Sequence, residues 1–110
     1  MLITLVGSVK QEEAWRMWTR HLTIRGHLVF EAGNYGTLGV DIVKEDWDKT
    51  TKVHHEKIRK SDLVLVIPKA DGTIGTHTWL DISVAREAGI PVFTVFDYDS
   101  RFNDTLSGKP

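Results

Sequence analysis

The sequence predicts a small three-layer α/β fold, a parallel sheet with helices on both faces, and three observations carry that prediction. Leu63-Val64-Leu65-Val66-Ile67 is an unbroken apolar run, which suits a strand buried on both faces better than one that is half-exposed. Leu2 to Val6, a helical period from Gln11 to Arg25 and a new strand from His27 to Phe30 follow one another within about thirty residues, the span of a strand, a crossover helix and a parallel partner. Polar, glycine-bearing breaks come after both the first strand (Gly7-Ser8) and the central run (Lys69 to Gly75), as expected where strands lead into helices across a sheet.

Each element has its own signal. In the first helix Ala14, Trp18 and Leu22 mark one face, Trp15 and Met17 widen it, and Gly26 ends it. From Glu31 to Asp46 periodicity disappears among Gly33, Gly36, Gly39, Asn34 and Tyr35, the composition of a binding loop or lid. A helix resumes near Asp46, with Trp47, Thr51, His54 and Ile58 along one face, and ends around Ser61. After the central strand, Pro68 stops the run, Asp71-Gly72 signals a turn, and Thr76, His77 and Thr78 open a helix that reaches Gly89. Pro91 to Phe96 reads as a fourth strand. Residues 1–96 then form one nucleotide-binding domain, and 97–110 a polar, loosely held tail in which Tyr98 and Phe102 are the residues able to fold back or meet another subunit.

Right-handed crossovers, with helices needed on both faces, make 2-1-3-4 the simplest strand order, as in small Rossmann-like or flavodoxin-like domains. The switch point of that sheet lies between the first and third strands. Gly7-Ser8 and the stretch from Gly72 to Thr78 therefore converge on one crevice at the carboxyl ends of those strands. Glycines allow backbone N–H groups to approach an anion, and a helix start offers unpaired donors and a partial positive charge. Gly7, Ser8, Lys10, Gly75, Thr76 and Thr78 are the candidate phosphate contacts, with Lys10 equally readable as a surface lysine. Tyr35 is a candidate for stacking on a base, or a packed loop aromatic. His54 reads as a ligand contact or as a half-buried histidine bonded to backbone. Asp81 is either a catalytic carboxylate or the third position of a capping box, Thr78-x-x-Asp81.

Composition narrows the function classes. A chain of 110 residues, 41% hydrophobic and 26% charged, fits one globular domain. A net charge of -1 speaks against a general partner of polymeric nucleic acid, which usually carries a basic face. The absence of cysteine removes disulfides, thiolate catalysis and cysteine-based zinc sites. His54 and His55 are adjacent and are expected to point apart on a helix, so no metal site is expected, and no cofactor. No apolar run nears the roughly 20 residues of a membrane span, and the first residues lack the pattern of a signal peptide. The expectation is a cytoplasmic protein with no membrane partner. Four tryptophans in so small a domain point to an exposed aromatic surface and hence to a homodimer or larger homo-oligomer.

Taken together, Ile3-Thr4-Leu5-Val6-Gly7-Ser8-Val9-Lys10, Gly26-His27, His54-x-x-Lys57-Ile58 leading into Ser61-Asp62, Gly75-Thr76-x-Thr78-x-x-Asp81-Ile82-x-x-Ala85 and Gly89-Ile90-Pro91-Val92 resemble the nucleoside 2-deoxyribosyltransferase-like proteins. The similarity is to their small phage and bacterial branch, related to the nucleoside monophosphate N-glycosidases, and spans most of residues 2–96. It implies a Rossmann-like, oligomeric protein that takes a nucleoside or nucleotide and cleaves its N-glycosidic bond or transfers its 2-deoxyribosyl group. In such enzymes a glutamate at the start of the helix after the central strand is the nucleophile, and Asp81 falls on its position with a side chain one methylene shorter. The upstream acidic partner of active members has His54 in its place or no counterpart. Two functions follow: hydrolysis or transfer through Asp81, or a sensor or carrier that holds a nucleotide-derived ligand in the same crevice without chemistry.

Overall fold

The computed structural model describes residues 1–7, 10–31 and 44–102, and the side chains of these apart from 44–47 and 99–102. Ser8, Tyr35, the side chain of Trp47 and most of the expected glycine loop lie outside the described residues. In chain order the elements are β1 (Leu2–Gly7), α1 (Glu12–Ile24), β2 (Leu28–Glu31), α2 (Lys44–Arg59), β3 (Leu63–Ile67), α3 (Thr76–Glu87), β4 (Val92–Thr94) and α4 (Val95–Phe102). The strands form one four-stranded sheet in the order β2-β1-β3-β4, every pairing parallel, which makes this a small Rossmann-like α/β fold. Among the described residues no helix is long and apolar enough to cross a membrane.

The period-two alternation of the central strands divides the core into two halves. Ile3, Leu5, Leu63, Leu65 and Ile67 project to one face, where Trp15, Trp18 and Leu22 of α1 meet Val95 and Tyr98 of α4. Val6, Val64 and Val66 project to the other, against Ile58 of α2 and Ile82 and Ala85 of α3. Each large side chain buried in this way contributes about 1.5–3 kcal/mol, which explains why all five residues of β3 are apolar. Thr4 is the polar exception. It is fully buried and is hydrogen-bonded to the Ser61 hydroxyl, which in turn donates to the Lys57 carbonyl at 2.7 Å, so the end of α2 is tied to the middle of β1.

The C-terminal end differs from the expected strand and tail. β4 stops at Thr94, whose hydroxyl accepts a hydrogen bond from the Asp97 amide at 3.1 Å, the geometry of a helix N-cap. Helical spacing then puts Val95 and Tyr98 on one side, 2% and 3% exposed, while Phe96 is left 71% exposed. Tyr98 meets Trp18 edge to face with ring centroids 6.3 Å apart. An extended backbone from Val95 to Phe96 would forfeit that packing. The core accommodates Trp15 and Trp18 almost entirely, whereas Trp79 is 47% exposed beneath the Arg86 guanidinium, 6.0 Å from its ring.

At the carboxyl end of the β1–β3 pair, Gly7 stands opposite Ile67. Gly7 has φ +151°, and a Cβ there would lie 2.2 Å from the Ile67 carbonyl oxygen. We expect Gly7→Ala to destabilise the fold by at least about 3 kcal/mol in urea unfolding, because the clash is with backbone and no rotamer relieves it. A loss below about 1 kcal/mol would mean that the two strand ends separate freely.

Candidate functional site

The carboxyl ends of β1 and β3 open into a pocket of about 700 Å³, a size ordinary for small-molecule sites. Its described lining includes Gly7, Lys10, Lys69, Asp71, Gly75, Thr76, His77 and Thr78. One wall is the start of α3. Gly75 is the N-cap residue, in an extended conformation with no side chain capping the helix, and the first intrahelical bond runs from the Trp79 amide to the Gly75 carbonyl. The amides of Thr76, His77 and Thr78 therefore precede the helical ladder and face the pocket end of the helix with the positive end of its dipole.

Two side chains strengthen that end. Lys69 reaches over Gly75, its Cε and Nζ 3.6 and 3.8 Å from where a Cβ of residue 75 would stand, so glycine leaves room for an ammonium at the helix start. Thr78 is 6% exposed and lines the pocket, and no described residue is hydrogen-bonded to its hydroxyl. Among the described residues the buried side-chain nitrogens and oxygens without a hydrogen-bond partner are the two of His54, so the Thr78 hydroxyl is open to solvent and can donate to an occupant of the pocket.

The loop carrying Lys69 is internally braced. The Gly72 amide donates to the Lys69 carbonyl at 2.8 Å, and the Lys69 amide donates to the Thr73 carbonyl at 2.9 Å. Asp71 Oδ1 accepts from both the Thr73 hydroxyl (2.6 Å) and the Thr73 amide (2.9 Å). Those two bonds, with the nearby Lys69 charge, hold the Asp71 carboxyl below its ordinary value. Gly72 takes φ +85° at the tip of the turn.

Asp81 is elsewhere. Thr78, Ile82 and Ala85 form the buried stripe of α3, and Asp81 lies to one side of it, facing α2. Helix α3 starts at Thr76, so Asp81 is in its second turn, too far along to be the third position of a capping box. Its Oδ2 is 3.2 Å from His54 Nε2 and its Oδ1 is 3.3 Å from His55 Nε2, with all three side chains mostly buried. Both ring nitrogens of His54 are buried, and neither makes a hydrogen bond, so the Nε2 approach to Oδ2 is a contact off the N–H axis. The two histidines do not point apart: they flank one carboxylate, with ring centroids 6.1 Å apart. Among the described residues no group of three His, Asp or Glu side chains is arranged to hold a metal ion.

The structure thus brings Gly7, Lys10, Gly75, Thr76 and Thr78 together at the pocket and places Asp81 and His54 in a separate cluster between α2 and α3. Ser8 and Tyr35 lie outside the described residues. Lys69, Asp71, His77 and His55 join the two groups although none of them was a predicted site residue. The position of Lys69 was detectable: like Lys10, it follows closely on the end of a strand at the switch point.

Two outcomes test this geometry. His54→Leu removes two buried nitrogens that make no hydrogen bond, each costing about 1–3 kcal/mol, and leaves His55 facing Asp81, so the urea midpoint should stay level or rise. A fall worth more than about 1 kcal/mol would show that the His54 contact outweighs its desolvation. For Asp71, the folded state releases the proton more readily than the unfolded one. Its contribution to loop order is therefore present above the usual carboxylate range and is lost as pH falls through the lowered folded-state pKa. The Thr73 amide resonance should titrate below an aspartate in an unstructured peptide, and Thr73→Val should raise that midpoint.

No protein-family model matches the chain, and no curated protein matches it significantly.

Proposed function

We propose that the protein binds a small phosphorylated molecule of the nucleotide class in the pocket at the carboxyl ends of β1 and β3, and that its role is binding rather than glycosidic cleavage. The observation that carries this reading is the convergence of the Lys69 ammonium, the start of α3 and the Thr78 hydroxyl on one pocket. Each supplies a donor and two supply positive charge, which is what a phosphate with several acceptor oxygens requires. Lys10 lines the same pocket and adds a second cation.

The cleavage reading assigns Asp81 the role of nucleophile. A carboxylate that attacks a sugar C1′ needs an oxygen free to reach it, with the departing base taking a proton and water completing hydrolysis. Asp81 is not among the described residues that line the pocket, and each of its oxygens already faces an imidazole. This arrangement favours a carboxylate that joins two helices over one that does chemistry.

Titration calorimetry with a nucleoside monophosphate, the matching nucleoside and inorganic phosphate tests the proposal. The monophosphate should bind, its affinity should fall between 50 and 200 mM salt, and Lys69→Ala should weaken it roughly tenfold while leaving stability near wild type. Equal binding of nucleoside and monophosphate, or no effect of Lys69→Ala, would remove the phosphate from the reading. Chromatography for free base should find none. Base release by the wild type that disappears in Asp81→Asn would restore the enzyme.

A further inference from the structure

We propose that the pocket selects phosphate monoesters of sugars bearing a vicinal diol, as ribose does, and that the Asp71 carboxylate makes the selection by accepting hydrogen bonds from both hydroxyls. This rests on the reading that the pocket takes a phosphate monoester, and it specifies which one. It runs against the deoxy sugar implied by the family resemblance.

The basis is the placement of Asp71 on the wall of the same pocket as Lys69, Lys10 and Thr78. Oδ1 takes both bonds from Thr73, so the carboxylate is fixed in orientation, and Oδ2 has no hydrogen-bond partner in another described residue. An ionised carboxylate has no proton to donate, and it repels a second anion. Whatever ligand group stands against Asp71 must therefore be a donor, while the ligand's anionic group is drawn to Lys69 and the start of α3.

The turn from Lys69 to Gly72 is closed by the bond from the Gly72 amide to the Lys69 carbonyl, so Lys69 and Asp71 stand on one braced turn in the lining of the pocket. A five-carbon sugar with a phosphate on its exocyclic carbon carries an anion for the ammonium and hydroxyl donors for the carboxylate in one small molecule. Carboxylate recognition of a ribose diol recurs in nucleotide-binding α/β proteins because two adjacent hydroxyls match two acceptor sites. Thr78, 6% exposed, lies in the lining of the same pocket, and its hydroxyl, to which no described residue is hydrogen-bonded, adds a donor for a polar occupant.

The test is calorimetry with AMP, dAMP and ribose 5-phosphate on the wild type and on Asp71→Asn. Asparagine keeps an oxygen for Thr73, so the turn is retained, which the Thr73 amide resonance verifies, but its second group donates instead of accepting. Wild type should prefer AMP to dAMP roughly tenfold, the scale of one hydrogen bond to a charged group. In Asp71→Asn that ratio should fall to about twofold or less through loss of AMP affinity, while dAMP binds as well as before or better because a negative charge has left the pocket. A purely electrostatic Asp71 would instead raise both affinities together and leave the ratio unchanged, which overturns the proposal. Ribose 5-phosphate competing with AMP supports selection by the sugar alone; no competition with the AMP preference intact supports selection in which the base also contributes. Equal binding of AMP and dAMP by wild type overturns the diol while the phosphate reading stands. If neither nucleotide binds, both fall.

Discussion

Gly7 and Ile67 stand opposite each other at a distance that leaves no space for a side chain on the glycine, and the rest of the molecule is arranged around that register. With Gly7 level with the end of β3, both strands finish at the same height, and the loops that leave them share one rim. Two-sided burial of β3 then requires helices above and below, and parallel pairing requires each helix to return the chain to the far edge. The pocket is a by-product of this closure. It forms where the chain leaves β1 for one face and β3 for the other.

Most of this was legible in the sequence because it rests on short-range patterns. The run Leu63 to Ile67 identifies a two-sided strand, the spacing of Ala14, Trp18 and Leu22 identifies a helix, and crossover handedness leaves little freedom in strand order. The end of the chain was misread for an equally physical reason. Val92-Phe93-Thr94-Val95-Phe96 has the β-branched and aromatic content of a strand, and only the cap formed by Thr94 on the Asp97 amide, with Tyr98 available to fill space beside Trp18, turns its second half into helix. Propensity yielded to packing.

The site was half legible for a related reason. Gly7, Lys10, Gly75, Thr76 and Thr78 converge because backbone topology alone brings two strand ends together. Asp81 and His54 depend on how α2 rolls against α3, and a helical wheel drawn for each helix separately does not fix that angle. A wheel places His54 and His55 about 100° apart, yet long side chains on a helix facing a neighbour can bracket one carboxylate from both sides. The outcome separates the charges of this face into a cationic rim around the pocket, with Asp71 as its one fixed acceptor among the described residues, and a self-contained cluster deeper along α3.

The contact between Trp18 and Tyr98 joins residues eighty positions apart. Until α4 is made and docked, the half of the core that holds Trp15, Trp18 and Leu22 lacks its closing layer, while the half beneath α2 and α3 can already form. As the chain emerges during synthesis, two large indoles therefore lack their closing layer until α4 follows, and the α1 face is open to other hydrophobic surfaces in that interval.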